Sequence, residues 1–118
     1  MLSAESGCVF CGVARGEIPA RILYEDDEII AIQDVAPQAP VHALIMPKAH
    51  VTGLNQLDAL SDATLARLMR VASRLAQELG VRERGYRIVS NCGQDACQSQ
   101  PHLHIHLLGG RAMGAELA

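Results

Sequence analysis

Apolar and polar residues alternate with two different periods along the chain. Between residues 61 and 80 the apolar residues recur at helical spacing, which predicts one long amphipathic helix. Ser61 is a suitable N-cap for this helix and Gly80 a suitable stop at its C-terminal end. Elsewhere the apolar residues form short runs or alternate singly with polar ones, which predicts strands. The five predicted strands are 22–25, 28–33, 42–46, 86–90 and 102–108.

These elements predict an α+β fold in a single domain over residues 1–118. Strands outnumber helices and the connections are short, which favours an antiparallel sheet. No apolar run approaches the roughly 20 residues needed to cross a membrane. The first six residues lack the basic and apolar segments of a secretory signal. We therefore expect a cytoplasmic protein with no membrane partner.

The charge and the residue composition limit the kinds of ligand that the sequence predicts. The net charge is −3, and the nine arginines and one lysine are scattered along the chain. A broad basic surface for nucleic acid is therefore not expected. Any phosphate group would have to be bound in a small, pre-arranged site. The unusual feature is five histidines and four cysteines in a chain with 3% aromatic residues.

The last predicted strand carries three of those histidines. Alternation places His102, His104 and His106 on one face and the intervening apolar residues on the other, where they are expected to pack under the long helix. A central imidazole could attack phosphorus while its neighbours stabilise negative charge. A row of metal ligands and a simply exposed polar face are the alternatives.

The cysteines leave several interpretations open. Cys8 and Cys11 form a Cys-x-x-Cys motif, which in a reducing compartment indicates metal binding or redox chemistry. The pair could supply two zinc ligands, with histidines completing the set, or could be two buried thiols. Cys92 and Cys97 are five residues apart and flank a polar loop, with no role that the sequence assigns.

The histidine-rich segment resembles the signature of the histidine triad (HIT) family, in which three histidines alternate with apolar residues. Other segments are similar to the Hint-like nucleoside phosphoramidase branch of that family. These segments are 10–11, 16–20, 24–27, 34–42, 47–50, 85–87, 98–99 and 109–111. The resemblance implies a five-stranded antiparallel sheet with one long helix and a short N-terminal helix.

The resemblance also implies an activity. The family pattern predicts a hydrolase that cleaves purine nucleoside phosphoramidates, or related nucleotidyl conjugates, to a nucleoside monophosphate. By this pattern His104 is the nucleophile that forms a covalent nucleotidyl-histidine, and His106, His42 and Ser99 assist it. A dinucleoside polyphosphate hydrolase and a non-catalytic nucleotide-binding module are the alternative functions.

The same resemblance assigns binding residues for a purine nucleotide of the AMP or GMP type. Asp34 would receive the ribose hydroxyls, and Asn91, Gln98 and Ser99 would hold the phosphate and the leaving-group side. The residues expected to form an apolar base slot are Val9, Phe10, Ile32, Val35 and Leu44. Ordinary core packing is the competing interpretation for these five, and we expect it of at least one.

The resemblance also implies a metal site and a homodimer. In relatives with a Cys-x-x-Cys near the start, zinc is held by that motif together with two histidines. Here the set would be Cys8, Cys11, His50 and His102, a closed structural site. Relatives also form homodimers that join their sheets edge to edge around the long helix and the fourth strand, so a homodimer is expected.

Overall fold

The expected strands and helices occur in the computed structural model, which describes residues 7–117. The six residues used to judge export, and Ala118, lie outside that range. In chain order the elements are helix α1 (Val9–Ala14), strands β1 (Ile22–Glu25), β2 (Ile29–Gln33) and β3 (Val41–Pro47), a 3₁₀ helix (Leu54–Ala59), helix α2 (Asp62–Glu78), and strands β4 (Tyr86–Val89) and β5 (Ile105–Gly109). The prediction of an α+β fold with one long and one short N-terminal helix is confirmed.

The strands form one sheet in the order β1-β2-β3-β5-β4, and every neighbouring pair is antiparallel. Strands β1 and β4 are the edges. Strand β5, which follows His102 and His104 and contains His106, lies between β3 and β4. The histidines therefore enter the sheet near its middle, where residues from β2, β3 and β4 can surround them.

Strict alternation along the central strands builds a core on each face of the sheet. On one face Ile29, Ala31, Ala43 and Ile45 pack against α2, and Leu103, Ile105 and Leu107 join them as predicted. On the other face Ile30, Ile32, Leu44 and Met46 pack against α1. Side chains at even positions of β5 therefore face the α1 side.

Helix α2 begins and ends close to the predicted residues. The Ser61 hydroxyl accepts the Thr64 backbone N–H at 3.1 Å, as an N-cap does. At the other end Gly80 has φ = 78°, and the backbone N–H groups of Gly80 and Val81 donate to Gln77 and Ala76. These two bonds satisfy carbonyls left free by the helix end. The helix has 17 residues.

Strand β5 begins at Ile105, three residues later than predicted. Its pairing with β3 ends at Ile45 opposite Ile105. Continued pairing would bring Leu103 beside Pro47, which has no N–H to donate. Instead the Leu103 N–H donates to the Val51 carbonyl at 2.7 Å. The first two triad histidines thus precede the strand, and both are buried.

The 3₁₀ helix at Leu54–Ala59 was not predicted from the sequence. It connects β3 to α2 and presents no fully buried side chain, so it leaves no periodic apolar signal. Within residues 7–117, no helix is both long and apolar enough to span a bilayer.

Candidate functional site

Two cysteines at the start of α1 face two histidines from distant parts of the chain. Cys8 caps α1, and its Sγ accepts the Cys11 backbone N–H at 3.3 Å. Cys11 Sγ lies 3.3 Å from His50 Nδ1 and 3.6 Å from His102 Nδ1, and Cys8 Sγ lies 3.4 Å from His102 Nδ1. The four ligand atoms are all within 4.8 Å of one another. The structure thus brings together the four residues predicted as a metal set, which we call the Cys/His cluster.

The donor set of the Cys/His cluster fits a tetrahedral ion. Ligands on a tetrahedral zinc ion, with bonds of about 2.3 Å to sulfur and 2.0 Å to nitrogen, lie about 3.5 Å apart, close to the spacings observed here. His102 Nε2 donates to the Pro47 carbonyl at 2.8 Å, which leaves Nδ1 facing the sulfur atoms. Burial lowers the pKa of His102, although the Pro47 carbonyl opposes the shift, so the ring is neutral, as a ligand must be.

A hydrogen bond holds the His104 ring through Nδ1, and Nε2 has no hydrogen-bond partner among residues 7–117. His104 is 3% exposed, and its Nδ1 lies 2.7 Å from the His102 carbonyl oxygen. A carbonyl only accepts, so Nδ1 carries the hydrogen and the neutral ring keeps its lone pair on Nε2. The Ser90 hydroxyl donates to the His104 carbonyl at 3.0 Å, and Phe10 packs edge-on at 5.0 Å between ring centroids. The neutral His104 imidazole therefore has a fixed orientation and a lone pair on Nε2.

A hydrogen-bond chain links His42 to His106. The Gln38 backbone N–H donates to His42 Nδ1 at 3.0 Å, so the hydrogen of the neutral His42 ring is on Nε2. That Nε2 lies 2.9 Å from His106 Nδ1 and 3.4 Å from an Asp34 carboxylate oxygen. His106 Nδ1 consequently accepts, and we assign the His106 hydrogen to Nε2. We call Asp34, His42 and His106 the Asp/His cluster.

The Asp/His cluster is also close enough to hold a metal ion, since its ligand atoms lie within 4.8 Å of one another. The hydrogen bonding favours a different use. His42 could bind a metal through Nε2 only by losing the hydrogen which the Gln38 N–H forces onto that atom. Burial lowers the pKa of His106, with further lowering from His104 and His42 and an opposing effect of Asp34, so this ring is neutral near pH 7.

A cavity of about 250 Å³ opens beside His104 and His106. The predicted residues that line it are Val9, Phe10, Ile32, Asp34, Val35, Leu44, Ser99, His104 and His106. Residues lining it that were not assigned from the sequence are Val13, Ile18, Pro19, Ala20, Gln33 and Gln100. A larger depression of about 460 Å³ runs along α2, but arginine and alanine side chains dominate its lining and no histidine reaches it.

The five apolar slot residues divide into two kinds. Phe10, Ile32 and Leu44 belong to the core on the α1 face as well as to the cavity wall, as the core-packing alternative expected of at least one. Val9 is 40% exposed and Val35 is 96% exposed. The last two contribute little to the core, so they lie at the mouth of the cavity as apolar surface open to a ligand.

Two predicted phosphate ligands do not line the cavity. Gln98 uses its side chain on the backbone: Nε2 donates to the carbonyls of Thr52 and Gln100, and Oε1 accepts the Gly93 N–H. These bonds fasten the loop that carries Ser99. The Asn91 side chain makes no hydrogen bond to any residue between 7 and 117, and it is half-buried just beyond the end of β4.

Sequence reasoning missed the contributions of Ser90 and of the Gln38 backbone. The sequence predicts Ser90 only as the end of a strand, and a backbone N–H leaves no signal in a sequence. The segment 18–20 could have been found, because it belongs to the stretch that carries the family resemblance.

Comparison with known proteins agrees with this geometry. The model of the HIT domain matches residues 15–113. The chain belongs to the HIT domain family. It is 40% identical over 110 residues to the purine nucleoside phosphoramidase of Escherichia coli K12, covering 93% of this chain and 92% of that protein.

Solved structures of HIT proteins have the same fold. The HIT family hydrolase of Clostridium thermocellum is 41% identical with a TM-score of 0.88, covering 97% of this chain and 99% of that one. The HIT family hydrolase of Legionella pneumophila Philadelphia 1 is 43% identical with a TM-score of 0.87, covering 93% and 98%. The predicted family is confirmed, and these relatives support a hydrolase activity.

Proposed function

We propose that this protein hydrolyses purine nucleoside phosphoramidates, or related nucleotidyl conjugates, to a nucleoside monophosphate through a covalent intermediate on His104. The observation that carries the proposal is the orientation of His104. Its Nδ1 hydrogen is engaged by the His102 carbonyl at 2.7 Å, and the ring lines the cavity. A buried imidazole held in this tautomer is a neutral nucleophile of fixed direction.

The reaction then has two steps. In the first, a bond forms between His104 Nε2 and the α-phosphorus while the phosphorus–nitrogen bond to the leaving amine breaks, and the amine departs with a proton from solvent. In the second, a water molecule attacks the phosphorus, the bond to His104 breaks, and a proton returns to solvent. His106 Nε2–H donates to the phosphate oxygens, where negative charge develops.

The remaining residues bind and orient the nucleotide. Phe10, Ile32 and Leu44 supply one apolar wall for the purine. Asp34 already accepts the Ala36 N–H at 2.8 Å through one oxygen, and its carboxylate lines the cavity, where it can accept from ribose hydroxyls. Ser99 lines the cavity on the side of the loop that Gln98 holds.

We also propose that the metal in the Cys/His cluster is zinc. The spacing of two sulfur and two nitrogen donors supports this choice, because zinc prefers such a tetrahedral set. Four protein donors leave no open position, so the ion would join α1 to the end of β3 and to the segment before β5 without taking part in the reaction.

A homodimer formed through the β4 edge is part of the proposal. Strand β4 ends the sheet, and Tyr86 and Met69 are exposed apolar side chains on β4 and α2 (39% and 54%). Sedimentation equilibrium of the purified protein should give twice the chain mass. A chain mass at micromolar concentration would contradict the dimer.

Steady-state rates on two substrates test the activity. We expect turnover of adenosine 5′-phosphoramidate to exceed that of diadenosine tetraphosphate, and His104→Ala to abolish both while AMP still binds. A higher rate on the polyphosphate would favour the dinucleoside polyphosphate alternative. Tight AMP binding without turnover of either substrate would favour a non-catalytic module.

A further inference from the structure

Gln100 lies in the wall of the cavity and has no role that the sequence assigns. It lines the cavity together with Ser99, His104 and His106. The residue is half-buried, yet its side-chain amide makes no hydrogen bond to any residue between 7 and 117. An amide offers two N–H donors and one carbonyl oxygen. The whole hydrogen-bonding capacity of this side chain is therefore available to a ligand that enters the cavity.

Two backbone hydrogen bonds fix the place of Gln100 relative to His104. The Gln100 carbonyl accepts the His102 N–H at 2.8 Å, and the His102 carbonyl accepts the Nδ1 hydrogen of His104 at 2.7 Å. Pro101 restricts the backbone between Gln100 and His102, because its ring fixes φ. The peptide group that orients the proposed nucleophile is thus tied directly to Gln100.

The side chain of Gln98 holds Gln100 from the loop. Its Nε2 donates to the carbonyls of Gln100 at 3.0 Å and Thr52 at 2.6 Å, and its Oε1 accepts the Gly93 N–H at 3.0 Å. Both N–H donors of this amide are occupied, so Gln98 has none left for a phosphate. Two residues later, Gln100 carries the same chemical group without partners.

The proposed reaction needs several neutral donors at the phosphate. The α-phosphorus of a phosphoramidate carries two non-bridging oxygens, on which negative charge grows as His104 attacks. His106 Nε2–H supplies one donor. Among residues 7–117, no lysine or arginine lines the cavity. The amide of a glutamine is a suitable second donor, since side-chain amides commonly stabilise such oxygens.

Gln33 is the other glutamine in the cavity wall, and its position suits a different part of the ligand. It is the last residue of β2 and directly precedes Asp34, to which we assign the ribose hydroxyls. Gln100 is instead tied through the backbone to His104, which the phosphorus must reach. The position of Gln100 therefore favours the phosphate.

We propose that the side-chain amide of Gln100 donates a hydrogen bond to an α-phosphate oxygen of the bound nucleotide, and that this bond strengthens as charge grows on the oxygen. The inference rests on the proposed function and adds a residue that contacts the substrate. No covalent bond forms to Gln100, and its amide loses no proton. Gln100 thereby has the role that the resemblance gave to Gln98.

The first test compares a nucleotide with its nucleoside. Calorimetric titration of the full-length protein measures the affinities for AMP and for adenosine. Gln100→Ala should weaken AMP binding about tenfold and leave adenosine binding unchanged, because only AMP carries the phosphate. Gln100→Glu has nearly the same shape and should weaken AMP binding further, since a carboxylate only accepts hydrogen bonds and repels the phosphate. Unchanged adenosine affinity also shows that the variants are folded.

The second test measures turnover. On adenosine 5′-phosphoramidate, Gln100→Ala should lower kcat/KM by about 10²-fold, a larger loss than that of AMP affinity, because the hydrogen bond is strongest in the transition state. Most of the loss should appear in kcat. Gln94→Glu is the matched control for Gln100→Glu. It adds the same charge to the same loop at an exposed residue that does not line the cavity, and it should match the wild type.

Three results would overturn the inference. The first is an unchanged AMP affinity and kcat/KM in Gln100→Ala. The second is an equal loss of AMP and adenosine binding, which would place the amide on the nucleoside. The third is tighter AMP binding by Gln100→Glu than by Gln100→Ala, which would show that this side chain does not act as a donor.

Failure of the proposed function gives a different pattern. A wild-type protein that binds AMP without hydrolysing the phosphoramidate would be a non-catalytic module. The ratio of AMP to adenosine affinity then still decides: a lower ratio in Gln100→Ala supports the contact, and an unchanged ratio rejects it. If the wild type and Gln100→Ala hydrolyse the phosphoramidate equally well, the proposed function stands and the inference alone is wrong.

Discussion

The Cys/His cluster and the Asp/His cluster are built from similar residues at similar spacing, yet the structure prepares them for different chemistry. In each, the ligand atoms lie within 4.8 Å of one another. In the Cys/His cluster, Nε2 of His102 donates to the Pro47 carbonyl, so Nδ1, which faces the sulfur atoms, offers a lone pair. In the Asp/His cluster, Nδ1 of His42 accepts the Gln38 N–H, so Nε2, which faces His106, offers a hydrogen.

Proximity of the ligand atoms alone therefore does not identify a metal site. The partner of the second ring nitrogen fixes the tautomer, and the tautomer decides between a ligand and a hydrogen-bond donor. His104 lies between the clusters in sequence and is fixed in the same way, by the His102 carbonyl.

Removing the nucleophile should have the largest effect and should leave the metal in place. His104→Ala should lower kcat on adenosine phosphoramidate by at least about 10⁴-fold, because His104 is the proposed nucleophile. Metal content, measured by mass spectrometry of digested protein, should equal that of the wild type. Residual turnover above a hundredth of the wild-type rate would place the nucleophile elsewhere.

Removing a ligand of the Cys/His cluster should instead affect stability. Cys8→Ser should abolish bound zinc and lower the free energy of unfolding by at least about 3 kcal/mol, since metal-binding free energy contributes to folding. Urea unfolding with parallel metal analysis measures both. Cys97→Ser is the matched control, because Cys97 is exposed and outside either cluster, and it should change stability by less than about 0.5 kcal/mol. Retention of stoichiometric zinc by Cys8→Ser would contradict the proposed ligand set.

Changing one histidine in each cluster sharpens the contrast. His42→Ala should lower kcat by about 10²-fold, because His106 loses the donor that fixes its tautomer, and the metal content should not change. His50→Ala should lose metal and stability. If both variants lost metal, or both kept it, the division of the histidines between the clusters would be wrong.

The pH dependence should show the smallest effect. Burial, followed by the charges of His104 and His42, lowers the pKa of His106 from its usual value of 6.5. The neutral, active ring therefore persists as the pH falls through 6.5, and the acid limb of kcat/KM should lie below that value. Asp34→Asn should move the limb to lower pH still, because the carboxylate raises this pKa. An acid limb above 6.5 would contradict the lowered pKa, and a rate that instead rises as the pH falls through 6.5 would show that His106 works in its protonated form.

Much of the fold could be predicted because its signals are local. The 3.6-residue period and the caps at Ser61 and Gly80 locate α2, and strict alternation assigns Leu103, Ile105 and Leu107 to the core face. The start of β5 could not be predicted in this way. It depends on the pairing of β3 with β5 and on the missing N–H of Pro47, which is a long-range feature.

In the candidate site, too, some features could be predicted from the sequence and others depend on long-range contacts. The resemblance named the histidines and the Cys-x-x-Cys motif correctly as neighbours, and the structure brings them together. It assigned Gln98 to the phosphate, whereas its side chain bonds the backbone of Thr52, Gly93 and Gln100. An amide can serve a ligand or a loop equally well, and only the three-dimensional contacts decide. The roles of Ser90 and the Gln38 N–H could not be predicted for the same reason.

The most direct test of the central claim is to locate the covalent intermediate. Wild-type protein is mixed with adenosine phosphoramidate, quenched in denaturant at mildly alkaline pH within one turnover, and mapped by peptide mass spectrometry. We predict an adenylyl group on His104, present in His42→Ala and absent from His104→Ala. An adenylyl group on another residue, or none at any time while AMP is being formed, would contradict the proposed mechanism.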